Sequence, residues 1–281
     1  MSLLLRSMVD GIEQSQIGVL DRGLHFGDGV FRTLLVINGQ PQDLERQLQR
    51  LADDAARIGL QAPDASTLTR QATEICVGQN RAALKLLLTR AQEAAGYQAS
   101  VNHCRSVLLL RPLRNHPPHF WNDGIAVRIC AMRLANNPTL AGIKHLNRLE
   151  QVLARAEWTD ESIAEGLMLD TQDRLIEGIS SNLFFVRDGV LHTPNLSRCG
   201  VSGVMREMIL EAAPAYTRDI RIADFGIDDL LGADECFVCN SVIRIWPISR
   251  LVSREPAQSW PVGPVTQKLQ DKLGAAWQRK K

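Results

Sequence analysis

Short apolar runs bounded by turn residues alternate with amphipathic stretches along the whole chain. The β-branched run at residues 30–37, followed by Asn38-Gly39, predicts a strand that ends in a tight turn. Residues 44–58 carry apolar side chains at helical spacing and predict an amphipathic helix. The remaining predicted strands cover residues 84–89, 106–110, 125–131, 167–169, 182–186, 190–193 and 236–240.

Two further helices are predicted in the second half of the chain. The first begins near Leu146, where apolar residues recur at helical spacing as far as Ala156. The second runs to about Ala212, and the hydroxyl of Ser202 would cap its first turn. Strands that alternate with helices in this way predict a mixed α/β fold class.

A proline-rich stretch separates two candidate domains. Residues 111–118 contain three prolines, which break regular structure. The sequence therefore predicts a small N-terminal α/β domain at residues 1–112, a linker at 113–121 and a larger C-terminal α/β domain at 122–281.

Charge and hydropathy exclude two classes of partner. The chain has 281 residues with 32 basic and 31 acidic side chains, and its net charge is +1. Because no basic stripe stands out, no nucleic-acid partner is predicted. The apolar runs are far shorter than the roughly 20 residues that a membrane-spanning helix needs, so no membrane segment is predicted. The start of the chain lacks the pattern of a signal peptide, and the expected location is cytoplasmic.

The six cysteines are predicted to be free thiols, as in proteins of reducing compartments. Cys236 and Cys239 form a C-x-x-C pair, which can indicate redox or zinc chemistry. On the predicted strand, however, these two side chains point to opposite faces. A second pair of ligands at zinc spacing is also missing, so no metal site is predicted.

Lys144 is the residue on which the functional argument depends. It follows a small-residue turn and precedes a predicted amphipathic helix, a place where a side chain can lie at the rim of a cavity. A lysine amine becomes a nucleophile when burial or a neighbouring charge lowers its pKa. From these residues alone, an ordinary exposed lysine remains the alternative.

Three motifs resemble those of a known family. The segment K-H-L-N-R-L-E-Q-V at residues 144–152 resembles the cofactor-lysine segment of the lyases that act on 4-amino-4-deoxychorismate. These lyases belong to the class IV aminotransferase family, which depends on pyridoxal 5′-phosphate (PLP). Residues 21–31, DRGLHFGDGVF, are similar to the amino-terminal signature of that family, and residues 177–184, EGISSNLF, are similar to its E-x-x-x-x-N-L-F segment.

The resemblance covers nearly the whole chain and implies a fold. It implies the two-domain fold type IV of the D-amino-acid and branched-chain aminotransferases, with PLP between the domains. Lys144 would be the Schiff-base lysine and the catalytic base. Glu177 would lie beside the pyridine nitrogen, where a carboxylate keeps the ring protonated and makes it an electron sink.

Other matched positions would bind the cofactor phosphate. Arg50 falls where the family has its phosphate-binding arginine, and a planar guanidinium suits paired contacts. The backbone N–H groups of Val204 and Met205 would bind the anion at a helix start. The hydroxyl of Ser241, with the neighbouring Asn240, would add a further contact. Without the resemblance, Arg50 would be interpreted as a solvated helix arginine and Ser241 as a loop serine. The N–H groups of Val204 and Met205 would be interpreted as part of a plain helix cap.

The substrate side departs from the family pattern. Residues 90–97 read R-A-Q-E-A-A-G-Y where the family often has R-G-x-G-x-R-G-Y, so no carboxylate anchor is carried over from that segment. The candidate substrate contacts are Phe26, Arg32, Arg90 and Arg148. For Arg32 and Arg148 our hypothesis is binding of a substrate carboxylate, and the alternative is an interior or interface ion pair.

The reaction implied by the resemblance converts 4-amino-4-deoxychorismate to 4-aminobenzoate, a folate precursor, and pyruvate. Proton abstraction by Lys144 would precede β-elimination of the enolpyruvyl group. A homodimer is also implied. The alternatives are a class IV aminotransferase acting on branched-chain or D-amino acids and a non-catalytic binding protein on the same scaffold.

Overall fold

Two units make up the chain, and each is built on its own sheet. The computed structural model describes residues 4–91, 96–99, 104–253 and 257–274. The first unit spans Met1–Asn115 and Ile143–Asn147, and the second spans His116–Gly142 and Arg148–Lys281. The division after Asn115 falls inside the proposed linker. The segment around Lys144 belongs to the first unit, which differs from the two continuous ranges that the sequence suggested.

The first unit has a sheet of six antiparallel strands in the order β2-β1-β6-β5-β3-β4 among the described residues. Its strands are β1 (Arg6–Val9), β2 (Ile12–Glu13), β3 (Gly29–Ile37), β4 (Gln40–Pro41), β5 (Arg81–Arg90) and β6 (Cys104–Pro112). Its helices are α1 (Arg22–Phe26), α2 (Leu44–Arg57) and α3 (Ala65–Cys76).

One face of this sheet is covered by helices. Strand β3 buries Val30, Arg32, Leu34 and Val36, which alternate along the strand and so point to the same face. Helix α2 packs on β3. Arg32 is the one charged member of this set, and its position there already indicates an interior partner.

The second unit has nine strands among the residues described. They are β7 (Ile125–Leu134), β8 (Ile163–Asp170), β9 (Leu175–Gly178), β10 (Asn182–Arg187), β11 (Val190–Pro194), β12 (Asp219–Ala223), β13 (Glu235–Asn240), β14 (Arg244–Leu251) and β15 (Gln258–Ser259). Its helices are α4 (His119–Asn122), α5 (Leu149–Arg155), α6 (Val204–Ala212), α7 (Ile227–Leu231) and α8 (Pro264–Leu273), and a 3₁₀ turn covers Ala213–Ala215.

Strands of the second unit close into a ring. The order is β12-β11-β10-β13-β14-β7-β8-β9, and β9 also pairs with β10. The closing pair joins Glu177 to Asn182. Side chains alternate across β10, so Leu183 and Phe185 enter one apolar cluster and Phe184 enters another with Met205 of α6. The ring therefore fixes the backbone of two residues of the E-x-x-x-x-N-L-F segment.

The predicted strands are present, and most of them are longer than predicted. The hairpin between β10 and β11 turns at Asp188 and Gly189, whose φ values of 53° and 73° are typical of a tight two-residue turn. No helix among the described residues is long and apolar enough to cross a membrane.

Two helix starts were predicted wrongly. Helix α5 begins at Leu149 rather than near Leu146, because the preceding residues pair with the edge of β3. Its side chains Val152 and Leu153 are 62% and 49% exposed instead of entering the core. Helix α6 has Gly203 as its N-cap rather than Ser202, whose backbone N–H donates to Gly142 O (3.0 Å).

Replacing Glu235 with alanine should destabilise the second unit. The buried Glu235 carboxylate accepts hydrogen bonds from the N–H groups of Val265 (3.1 Å) and Thr266 (2.8 Å) and from the Thr266 hydroxyl (2.5 Å) at the start of α8. The variant would leave buried donors without an acceptor, which costs at least about 2 kcal/mol. Urea unfolding measures the loss. The exposed Glu161 is the control, and its alanine variant should stay within about 0.5 kcal/mol of the wild type.

Candidate active site

The backbone of Lys144 is held on both sides by the first unit. Its carbonyl accepts a hydrogen bond from Phe31 N (2.9 Å), and its N–H donates to Asp54 Oδ2 (3.0 Å). The next residue, His145, forms a bridge with Val30. Residues 143–147 thus add a short antiparallel segment to the edge of β3, which fixes the direction in which the Lys144 side chain leaves the backbone.

The Lys144 amine lies near an aromatic ring. Its Nζ is 4.7 Å from the centroid of the Phe31 ring, and the side chain is half-buried. A second amine, Lys85 Nζ, is 4.4 Å from the same centroid. Burial, and after it the charge of Arg111, lowers the pKa of Lys85. Cations are attracted to the face of an aromatic ring, and two amines lie within 4.7 Å of the Phe31 ring centroid.

Asp54 is a buried carboxylate that the sequence did not single out. It is 2% exposed, forms an ion pair with Arg32, and has Oδ1 4.0 Å from Arg50 Nε. This arrangement is the interior ion pair that was the alternative to substrate binding for Arg32. A signal existed, because Asp54 follows Arg50 by one helical turn and lies next to the buried positions Leu51 and Ala55 of α2.

Glu177 is buried on β9 of the second unit. It is 4% exposed, and its Oε2 accepts a hydrogen bond from Val201 N (2.8 Å). Gly200 has φ of +84°, and a Cβ there would lie 2.7 Å from Ile176 Cγ2 and 3.3 Å from Glu177 Oε2. Both the backbone conformation and the close approach therefore require glycine at position 200. Val201 also pairs with Gly142, which precedes Lys144 by two residues in the chain.

The N-terminus of α6 is tied to the same strands by Asn182. Its Nδ2 donates to Val201 O (2.7 Å), and its Oδ1 accepts from Gly203 N (3.2 Å). Val204 and Met205 then open the helix, and the first N–H groups of a helix have no acceptor within it. Such an end favours an anion. The sequence matched Asn182 to a motif but did not predict this role.

Asn240 organises the turn that carries Ser241. Its Oδ1 accepts hydrogen bonds from Val242 N (2.8 Å) and Ile243 N (2.9 Å), and its Nδ2 donates to Ser180 O (2.9 Å). The side chain is thus engaged with backbone groups of the second unit. The structure indicates that Asn240 shapes the loop, while Ser241 lies at the turn itself.

Comparisons with known proteins identify the family. The family model for amino-transferase class IV matches residues 29–251. The chain belongs to the amino-transferase class IV family.

Three class IV relatives illustrate the range of the family. The chain is 33% identical over 268 residues to an aminodeoxychorismate lyase of Vibrio harveyi, covering 94% of this chain and 98% of that protein. It is 43% identical to the crystal structure of 4-amino-4-deoxychorismate lyase from Pseudomonas aeruginosa, with a TM-score of 0.89 and 95% and 97% of the chains covered. It is 27% identical over 278 residues to a D-alanine aminotransferase of Listeria monocytogenes serotype 1/2a, covering 96% and 93%. These relatives bear out the recognised family and the fold type IV class.

The chemistry of these side chains fits PLP, the cofactor that the class IV resemblance implies. A PLP enzyme uses a lysine amine for the aldehyde, an anion site for the phosphate and a polar or charged partner, such as a carboxylate, for the ring nitrogen. The first unit supplies the Lys144 amine and the Arg50 guanidinium, whose side chain is 27% exposed. The second unit supplies the Glu177 carboxylate, the start of α6 and the Ser241 turn.

Of the four candidate substrate contacts, Arg90 is engaged within the first unit. It is 7% exposed, pairs with Asp28 (2.9 Å), and donates to the carbonyls of Ile58 and Gly59, both at 3.0 Å. Phe26 is half-buried, and its ring centroid is 5.5 Å from that of Tyr97. Arg148 is the N-cap residue of α5. Residues 92–95, the centre of the departure from the class IV pattern, lie outside the described residues.

Glu165 is a second buried carboxylate that the sequence missed. It accepts hydrogen bonds from the hydroxyls of Ser180 (2.8 Å) and Ser181 (3.0 Å) and from Gly166 N (3.0 Å). Burial raises its pKa, although these hydrogen bonds oppose the shift. Glu165 thereby holds the turn between Glu177 and Asn182.

The raised pKa of Glu165 predicts a pH dependence of stability. As pH rises above the ordinary glutamate value of 4.5, the unfolded state loses its proton first while the folded state keeps it. The free energy of unfolding therefore falls as pH rises through the raised folded pKa. Glu165→Gln removes this ionisation, so its stability relative to the wild type should improve with pH. Urea unfolding at about pH 5 and about pH 8 measures the difference, and a difference that stays constant would contradict the prediction.

Proposed function

We propose that this chain is a PLP-dependent lyase that converts 4-amino-4-deoxychorismate to 4-aminobenzoate and pyruvate. The observation that carries the proposal is the half-buried Lys144 amine, whose backbone is hydrogen-bonded through both its N–H and its carbonyl. The relatives at 33% and 43% identity support this substrate, since both are lyases of aminodeoxychorismate. The proposed product, 4-aminobenzoate, is a folate precursor, so the reaction would belong to folate biosynthesis.

Lys144 is the group that would move the proton. When bound, PLP would supply an aldehyde for the amino group of the substrate and an electron sink for the adjacent carbon. The Lys144 Nζ would then take the proton from that carbon as general base, a step that contributes typically 10²–10⁴-fold to a rate. Because the peptide of Lys144 is held by Phe31 and Asp54, the amine can move only as far as its own side chain allows.

Glu177 would hold a proton on the ring nitrogen. Its hydrogen bond from Val201 N fixes the orientation of the carboxylate, and its burial keeps water away from it. A negative charge beside the ring nitrogen favours the protonated ring. Glu177 therefore supports proton removal at a distant carbon without touching it.

The phosphate would be bound by groups of different kinds. Arg50 offers a guanidinium, Val204 and Met205 offer backbone N–H groups, and Ser241 offers a hydroxyl. Asn240 contributes by shaping the Ser241 turn. Together these groups would supply charge and direction for a dianion.

An aminotransferase is the second candidate, because the chain is 27% identical to a D-alanine aminotransferase over most of its length. Both reactions use the same amine for the same first proton transfer, so a side transaminase activity is expected. An assay that measures pyruvate and 4-aminobenzoate alongside amino-acid products distinguishes the lyase reaction from the transaminase reaction. Retention of Lys144, Arg50 and Glu177 argues against a non-catalytic binding protein.

The homodimer and the cytoplasmic location implied by the resemblance remain predictions. Helix α5 supports a subunit contact, because Leu149, Val152 and Leu153 are 67%, 62% and 49% exposed in the single chain. Contiguous exposed apolar side chains commonly mark such contacts.

Replacing Lys144 with alanine should abolish turnover of 4-amino-4-deoxychorismate, because both the link to the cofactor and the base are lost. The visible absorbance of the lysine-linked cofactor should disappear as well. The matched control is Lys268→Ala, which removes an exposed lysine of α8 and should leave both properties unchanged. Persistence of the absorbance band of a lysine-linked cofactor in the Lys144 variant would be evidence against the assignment.

Glu177→Gln should lower the turnover number by at least about tenfold, because an amide no longer favours a protonated ring nitrogen. The dissociation constant for PLP should change by less than about threefold, since the phosphate groups are untouched. Steady-state kinetics and equilibrium dialysis measure the two quantities. A variant with the wild-type turnover number would show that the ring nitrogen needs no carboxylate.

A further inference from the structure

Arg50 and the Lys144 peptide share one carboxylate. Asp54 Oδ2 accepts a hydrogen bond from Lys144 N (3.0 Å), and Asp54 Oδ1 is 4.0 Å from Arg50 Nε. The Asp54 side chain is 2% exposed, so these interactions are shielded from water and from salt. A residue proposed to bind phosphate and a residue proposed to bind the aldehyde end of PLP are thereby joined through a single side chain.

Arg32 supplies the counter-charge for this carboxylate. Its side chain is 3% exposed and forms an ion pair with Asp54, and its Nη2 also donates to Arg50 O (3.4 Å). Two guanidinium groups and one carboxylate carry a formal charge of +1. Because the buried Arg32 and Asp54 neutralise each other, the remaining positive charge is that of Arg50, whose side chain is 27% exposed.

We propose that Asp54 is a positioning residue that holds Arg50 and the Lys144 peptide in one fixed arrangement. This inference rests on the proposed function. A cofactor whose phosphate is bound by Arg50 would then meet a lysine whose backbone is already fixed, so less ordering has to occur at binding. Asp54 touches neither the cofactor nor the substrate in this account, and it acts through the two residues that it holds.

If Asp54 positions Arg50, the gain in binding affinity that the phosphate gives to PLP depends on Asp54. This gain is measured as a ratio: the dissociation constant for pyridoxal, which lacks the phosphate, divided by the dissociation constant for PLP. Both constants are measured on the full chain by visible absorbance and equilibrium dialysis, without any turnover. General loosening of the fold would weaken both ligands alike, whereas loss of positioning lowers the ratio.

Asp54→Asn keeps the size of the side chain and removes its charge. We expect the ratio to fall at least about fivefold in this variant and in Arg50→Gln. In the double variant the ratio should fall no further than in Arg50→Gln alone, because coupled residues give non-additive effects.

Two further variants separate positioning from stability. Arg32→Gln/Asp54→Asn removes both buried charges, which avoids leaving an unpaired charge in the interior, so the melting temperature should recover while the ratio stays low. Asp170→Asn is the matched control. Asp170 is also buried and accepts hydrogen bonds from an arginine, Arg174 (2.5 and 2.8 Å), and from the N–H of Gln172 (2.9 Å). Its variant should melt earlier with an unchanged ratio.

The outcomes distinguish the inference from the function on which it rests. A ratio unchanged in Asp54→Asn, or effects of Arg50 and Asp54 that simply add, would overturn the positioning role while the cofactor assignment stands. A wild-type chain that binds pyridoxal and PLP equally would overturn the phosphate site and, with it, the role of Asp54. A lowered ratio in Asp54→Asn and in Arg32→Gln/Asp54→Asn, with the ratio of the Asp170→Asn control unchanged, supports the inference.

Discussion

The attachment of residues 143–147 to the edge of β3 is the constraint on which the candidate site depends. Two hydrogen bonds, from Phe31 N to Lys144 O and from Lys144 N to Asp54, hold the backbone of Lys144 within the first unit. A lysine at the end of a free loop would sample many positions. Here the backbone is set by a strand, and the remaining freedom lies in the side chain beside the Phe31 ring.

A corresponding constraint operates in the second unit. The pairing of Glu177 with Asn182 closes the strand ring, and the side chains of the same two residues bind the segment around Val201. Glu165 holds the intervening turn by accepting hydrogen bonds from the hydroxyls of Ser180 and Ser181. The carboxylate proposed for the ring nitrogen and the helix end proposed for the phosphate are consequently parts of one hydrogen-bonded network in the second unit.

The strands could be predicted from the sequence because they depend on local pattern, whereas the cofactor residues follow from the class IV resemblance and stay a prediction. An apolar run rich in β-branched residues marks β3, and a short apolar run marks β10. The Asp188-Gly189 turn has the residues that positive φ values favour. The start of α5 could not be predicted in this way. Periodicity favours a helix from Leu146, but its N–H donates to Gly29 O (3.0 Å), and this tertiary pairing outweighs local preference. Asp54 lies on the buried face of α2, which was a local signal, but its partners Arg32 and Lys144 are distant in sequence. Glu165 likewise binds the distant Ser180 and Ser181.

Two amines lie near the Phe31 ring, and the central claim is that Lys144 rather than Lys85 bonds to the cofactor. Borohydride reduction of the purified chain with PLP makes that bond permanent, and peptide mapping by mass spectrometry then locates it. The account predicts the reduced cofactor on the peptide that contains Lys144. Its recovery on the peptide that contains Lys85, with Lys144 unmodified, would contradict the account.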